Sequence, residues 1–151
     1  MKVEKGDLIK LALEGKFDVI IHGCNCFCTM GAGIAKQIKK EFPEAYEADL
    51  NTANGEINKL GTISSATIHK NGTILIVVNG YTQYNWRGSG VLVDYDAIRS
   101  VFKHVKSIYS GMRIGYPRIG AGLAGGDWKL ISKIITEELA EEDHTLVEYS
   151  S

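Results

Sequence analysis

The residues most able to do chemistry stand in one run, His22-Gly23-Cys24-Asn25-Cys26-Phe27-Cys28-Thr29-Met30-Gly31-Ala32-Gly33-Ile34-Ala35. An apolar segment, Val19 to Ile21, leads into the histidine and the asparagine, and a loop with Gly31 and Gly33 then opens a helix. Glycine lets backbone N–H groups approach a ligand, and a helix N-terminus favours negative charge. Strand, polar groups, glycine loop and helix start in that order build an anion pocket at the carboxyl end of a strand. Histidine ordinarily titrates near neutral pH, so His22 beside such a pocket is the candidate catalytic acid, base or nucleophile. A core histidine with a satisfied ring is the alternative. Asn25 either holds a ligand or bonds its own backbone in a turn.

A second glycine-rich loop spans Pro117 to Gly126 and leads to Asp127, the expected cap of another helix. Two such loops, each after a strand and before a helix, suggest a diphosphate held between them. The candidate ligand-binding residues are Gly31, Gly33 and Ile34 in the first loop, and Ile119, Gly120, Ala121, Gly122, Leu123 and Ala124 in the second. Gly120 to Gly125 fits G-x-G-x-x-G, but only one helix and one strand remain after it, too little for a Rossmann domain. No G-K-[ST] follows either loop, which argues against a P-loop. The cysteines, Cys24, Cys26 and Cys28, are spaced C-x-C-x-C with no second pair, and His69, His104 and His144 are scattered. They are expected to line a strand end as small residues, with no metal site, no cofactor and no disulfide.

The elements that must position these loops follow from periodicity and punctuation. A strand is expected over Lys2 to Lys5 and a helix over Leu8 to Leu13, with Asp7 as its cap. Phe17 to Gly23 is expected as a buried strand. Gly33 to Phe42 carries Ile34, Ile38 and Phe42 at spacings of four, a helical face. Pro43 interrupts it, and a further helix around Glu44 to Thr52 is expected. Strands are expected over Leu60 to His69 and Thr73 to Asn79, joined by Asn71-Gly72, a hairpin signal. Gly80 to Val91 is expected as a loop. Helices over Asp94 to Tyr109 and from Asp127 through Leu139 flank a short strand, Met112 to Tyr116. Thr145 to Tyr149 closes the chain as a strand. Alternating strands and helices around one central hairpin imply an α/β fold, a three-layer α/β/α arrangement with a mixed central sheet.

At 151 residues, one domain over 1–151 with one substantial core is expected. Hydrophobic residues make up 44% and charged residues 23%, which argues against disorder. The net charge is −1 with Lys and Arg scattered, so duplex nucleic acid is not an expected partner. No apolar run approaches a membrane span and Met1 to Lys5 begins no secretory signal, so no membrane partner and a cytoplasmic location are expected.

Taken together the motifs resemble the macro domain, a module that binds ADP-ribose. Gly6-Asp7-Leu8 resembles its early G-D-[IL] element, and Asn25 the last asparagine of its strand-end N-A-A-N. Gly31 to Ala35 resembles its first glycine loop, and Pro117 to Leu123 its phosphate loop. Met30-Gly31-Ala32-Gly33-Ile34-Ala35 and Pro117-Arg118-Ile119-Gly120 are similar to the compact single-domain branch, which includes glycohydrolases that remove ADP-ribose from acidic side chains. His22-Gly23-Cys24-Asn25-Cys26 most resembles the branch's ADP-ribose 1″-phosphate phosphatases.

The resemblance implies that Asp7 accepts from the adenine amino group, that Leu8 is among the ligand-binding residues, and that Asn25 holds the distal ribose, with His22 assisting phosphate release and Asn25 and Asp127 as the other catalytic candidates. It also shows departures. One group of macro-domain hydrolases has an aspartate where Ala35 stands. The acyl-ester glycohydrolases have a lysine in the central loop and an aspartate directly after G-L. Gly80 to Val93 contains no lysine, and Ala124 follows Leu123, which leaves Asp127 as a substitute. The implied activity is an ADP-ribose 1″-phosphate phosphatase. A non-catalytic reader of free or protein-linked ADP-ribose and an ADP-ribosyl hydrolase are the alternatives, and ADP-ribosylated protein is a further implied partner. Tyr81, Tyr84 and Trp86 either stack on the ligand or fill a small core.

Overall fold

Period-two alternation divides the apolar residues of one central strand between two cores. In the computed structural model, which describes residues 1–88 and 90–151, that strand is β2 (Val19–Cys24). Val19 and Ile21 face one core and Ile20 the other. The remaining strands are β1 (Lys2–Gly6), β3 (Ile63–Lys70), β4 (Thr73–Tyr81), β5 (Ile114–Tyr116) and β6 (His144–Tyr149). They form one sheet in the order β1-β6-β5-β2-β4-β3. Every neighbouring pair is parallel except β3 and β4, which form the expected hairpin. Its turn residues Asn71 and Gly72 have φ of 54° and 73°, the left-handed pair that a type I′ turn requires.

The helices cover both faces. On the Ile20 side lie α1 (Leu8–Leu13), α2 (Gly33–Glu41) and α3 (Pro43–Leu50), packing Leu8, Ile38, Phe42 and Ala45. On the Val19 side lie α4 (Tyr95–Tyr109) and α5 (Trp128–Glu138), packing Ile98, Phe102, Ile131 and Ile135. The α/β/α layering and the mixed sheet are as the alternation implies. Pro43 begins α3 instead of merely ending α2, because its missing N–H is no loss at the first helical position. β4 runs on to Tyr81, beyond the expected Asn79, since Gly80 and Tyr81 pair with Gly23 and Cys24 of β2. β5 starts at Ile114, after Arg113 has given its backbone N–H to the Asp18 carboxylate at 2.8 Å. Among the described residues no helix is long and apolar enough to cross a membrane.

Candidate functional site

Two adjacent parallel strands send the chain to opposite faces of the sheet. β2 leads to α2 on one side and β5 to α5 on the other, a divergence that opens a crevice at strand carboxyl ends. One cavity of about 460 Å³ lies there, walled by Asn25, the Met30–Ala35 segment, Trp86 and the Pro117–Ala124 loop. A second cavity, also about 460 Å³, is lined by Asp7, Leu8, Gln37 and Tyr149. Gly33, Ile34, Pro117 and Arg118 line both, so the two form one elongated cleft. Arg118 at the junction is paired with Glu148 at 2.7 Å.

The middle of the cleft is built from unspent backbone donors. α1, α4 and α5 are each capped by an aspartate side chain, Asp7, Asp94 and Asp127. α2 starts from Ala32, which has no side chain to cap it. Among the described residues, the N–H groups of Gly33, Ile34 and Ala35 have no acceptor within the protein. Across the cleft, the same holds for Gly120, Gly122, Leu123 and Ala124. An uncapped helix start facing a second set of free N–H groups is an anion cradle without any metal or lysine. Ala121, expected among the ligand-binding residues, is placed otherwise: its N–H is used on Arg118 O at 3.2 Å, and it does not line the cavity. Ile119 gives its N–H to Pro117 O and contributes its side chain to the wall.

The two ends of the cleft differ in chemistry. At one end Asp7 Oδ1 accepts from the N–H groups of Ile9 (3.0 Å) and Lys10 (3.1 Å). Its other oxygen has no partner among the described residues, so Asp7 caps α1 and still offers an acceptor to the second cavity. At the other end Asn25 Nδ2 donates to Thr29 Oγ1 (2.7 Å), and its Oδ1 accepts from Phe27 N–H (2.8 Å). Asn25 therefore lines the cavity while closing its own loop. The aromatic residues divide by role. Tyr81 is wholly buried, Tyr84 donates to Gly55 O, and Trp86, packed edge-on against Phe27, stands at the cleft wall.

Two expected catalytic groups are not in the cleft. His22 alternates with Ile20 onto the α1–α3 side of the sheet and is wholly buried. Its Nε2 meets Asn79 Oδ1 at 2.6 Å, and Asn79 is held in turn by Ala45 O and Ser64 Oγ. Burial depresses the His22 pKa to about 4 against the opposing effect of the Asn79 contact, so the ring is neutral near pH 7. It is the satisfied core histidine. Asp127 is exposed, spends its side chain on Lys129 N–H at 3.0 Å, and does not line the cleft. The pleat and the helix cap, respectively, set these positions.

The structure brings in residues that the motifs did not mark. Asp49 on α3 and Thr82 after β4 both line the first cavity and both are buried. Asp49 Oδ2 and Thr82 Oγ1 are the buried side-chain polar atoms that lack a partner among the described residues. Asp49 Oδ1 accepts from Tyr81 OH at 2.7 Å and lies 3.8 Å from Lys59 Nζ. The thiols are free: burial pushes the Cys24 thiol well up and raises that of Cys26, while Cys28 Sγ contacts Asp49 O and Lys59 Nζ. No local pattern announces Asp49, because its partners lie on β4 and before β3.

A family model for the macro domain matches residues 21–135. The chain belongs to the macro domain family. This macro domain is 34% identical to an uncharacterised 17.5 kDa protein of bacteriophage T4, over 99% of this chain and 96% of that protein. It is 28% identical to the ADP-ribose 1″-phosphate phosphatase of Candida albicans, over 83% of this chain and 85% of that enzyme. A DNA ADP-ribosyl glycohydrolase of Mycobacterium tuberculosis is 27% identical over 82% of this chain, which covers only 34% of that protein. Among solved structures, a Bacteroides thetaiotaomicron protein of unknown function superposes with a TM-score of 0.80 at 27% identity, over 98% of both chains.

Proposed function

We propose that this macro domain binds ADP-ribose along the cleft and hydrolyses the substituent on its distal ribose, the 1″-phosphate being the first candidate. The observation that carries the reading is the uncapped start of α2 facing the free N–H groups of the 120–124 loop. That pair of donor sets suits a diphosphate, with Asp7 toward the adenine and Asn25 toward the distal ribose. A neutral purine amino group is a donor, and the free carboxylate oxygen of Asp7 is an acceptor for it. The two cavities together have the size that a dinucleotide-like ligand needs. The Candida albicans enzyme supports phosphate as the leaving group, since the resemblance runs over most of both chains.

The diphosphate anchors the substrate, and the bond to be broken then lies beyond the ribose, near Asn25, Asp49 and Trp86. Water attacks there without a covalent intermediate on His22, whose ring the sheet encloses. Removal of ADP-ribose from a macromolecule is the second reading, favoured by the glycohydrolase relative and by the exposure of Trp86, which lines the cleft. Calorimetry with ADP-ribose tests the binding, and a 1:1 complex is expected. Phosphate release from ADP-ribose 1″-phosphate, run beside ADP-ribosylated protein and DNA, tests the chemistry. No binding of ADP-ribose at millimolar concentration overturns the whole reading. Binding with release from the macromolecular substrates alone replaces the phosphatase by the second reading.

A further inference from the structure

Buried polar atoms in folded proteins almost always have a hydrogen-bond partner, so one without a partner beside a cleft points to a bound group. Thr82 Oγ1 is such an atom among the described residues, and Thr82 lines the first cavity. The same cavity takes in Gly120, Gly122 and Ala124, whose N–H groups have no acceptor among the described residues. We infer that the Thr82 hydroxyl donates to the phosphoryl group held by the 120–124 loop, the one on the distal-ribose side of the diphosphate. The inference rests on the ADP-ribose reading above and adds a side-chain donor to a cradle otherwise made of backbone.

The backbone holds Thr82 in place for that bond. Its N–H donates to Cys24 O at 3.2 Å, and its O accepts from Asp94 N–H at 2.8 Å. Thr82 is thereby tied to the end of β2 and to the cap of α4, which leaves its side-chain rotation as the remaining freedom. A Cβ at Gly23 would stand 2.7 Å from Thr82 Oγ1 and 3.2 Å from Ile119 Cγ2. The hydroxyl and the residue before Gly120 therefore border one space above Gly23, on the side of the sheet where Val19, Ile21 and Ile119 pack. Gly23 has no left-handed φ that would call for glycine, so what its missing side chain supplies is this space. Thr82 lines the first cavity and not the second, which puts its hydroxyl on the distal side of the cleft, away from Asp7. The free N–H groups of the loop suit an anion, and a phosphoryl oxygen has lone pairs for one more donor. A hydroxyl already withdrawn from bulk water gives up little hydration in making that bond.

The test measures ADP-ribose affinity by calorimetry, and the unfolding temperature of the ligand-free protein, for wild type, Thr82→Val and Thr82→Ser. Valine has the shape of threonine without the donor, and Thr82→Val is expected to bind about tenfold or more weakly, the effect of a hydrogen bond to a charged group. Thr82→Ser keeps the hydroxyl and is expected to stay within about threefold of wild type. Ligand-free Thr82→Val should unfold no lower than wild type, since the hydroxyl has no protein partner to lose. Wild-type affinity in a folded Thr82→Val overturns the inference. An equal loss in the valine and serine variants also overturns it, because the shape of the site and not the hydroxyl would then set affinity. Should the valine variant fail to fold, Thr82→Ala, which needs no extra room beside Gly23, removes the same hydroxyl and decides in its place. A wild type that binds no ADP-ribose at millimolar concentration overturns the proposed function, and this inference with it. A wild type that binds beside an unaffected Thr82→Val overturns this inference only.

Discussion

His22 shows how far a neighbour 57 positions away decides what a side chain does, for Asn79 fixes its ring beneath α3. The folded ring has a pKa of about 4, below the ordinary value of 6.5. Between those values the unfolded chain binds a proton that the folded chain refuses, so stability rises with pH there. This contribution is complete above pH 6.5 and is lost as pH falls toward 4, by about 3 kcal/mol at pH 4. Urea titrations at pH 7.5 and 4 should show that loss, and His22→Gln should flatten it. An unchanged pH dependence in the variant would place the acid sensitivity elsewhere. His144, likewise depressed by burial, adds a loss of the same sign. Asp7 offers the opposite lesson, because its cap bonds and its place at the second cavity are both set locally. Asn caps as well as Asp, yet its second group is a donor where the carboxylate offers an acceptor. Asp7→Asn should therefore keep its stability while binding ADP-ribose about ten- to a hundredfold more weakly, the cost of a hydrogen bond involving a charged group. Equal affinity by calorimetry would leave Asp7 a cap only. Asp7 and the glycine loops were legible in the sequence because each signal lies within a few residues. The burial of His22 and the place of Asp49 were not, since both depend on partners brought in by the sheet.

At the scale of elements, α2 is the helix that gives up its cap to the cleft. Ala32→Asp would supply the missing carboxylate and stabilise the domain by about 1 kcal/mol, the usual value of a cap. The same carboxylate would occupy the donors that the proposed diphosphate uses and repel it, so ADP-ribose affinity should fall as thermal stability rises. Affinity and stability rising together would show that the ligand does not use that helix start. The second loop allows a cleaner obstruction. A Cβ at Gly122 meets nothing within 4 Å, whereas one at Gly120, with φ of 76°, would come 2.7 Å from Val93 Cγ2. Gly120 is therefore demanded by packing, and Gly122 is left free to make room for a ligand. Gly122→Val should fold normally and lose ADP-ribose binding; a folded variant with unchanged affinity would move the diphosphate elsewhere. Most elements were readable from apolar period and punctuation, as α4 and the Asn71-Gly72 hairpin show. The misplaced ends have tertiary causes. β4 is extended by pairing with β2, and the start of β5 is set by the Asp18–Arg113 contact. The 3₁₀ turn Ile57–Lys59, which delivers Lys59 to the buried cluster, has no periodic signal in so short a piece.

For the molecule as a whole, the cleft lies at the carboxyl ends of the strands, with a wall from each of its two helical layers. The donors of α2 belong to the layer packed on Ile20, and the 117–126 loop leads to α5, packed on Val19 and Ile21. Beneath the cleft β2 pairs with β5 through Val19–Ile114 and Ile20–Gly115, and with β4 as far as Cys24–Tyr81. A ligand whose diphosphate takes N–H groups from both sides ties the layers together, while its adenine and distal ribose reach opposite ends. Binding to the folded state alone stabilises by RT ln(1 + [L]/Kd), about 2.7 kcal/mol when the ligand is at a hundred times its Kd. ADP-ribose should therefore raise the unfolding temperature as a single cooperative transition. AMP and ribose 5-phosphate, each carrying one end and one phosphate, should together raise it less at equal concentration, because neither spans both donor sets. Linking the halves makes the second contact intramolecular, which is the source of the difference. Differential scanning calorimetry with the intact ligand and with the mixed halves measures it. Equal shifts would mean that the two halves bind independently, and that the α2 start and the 120–124 loop do not grip one diphosphate.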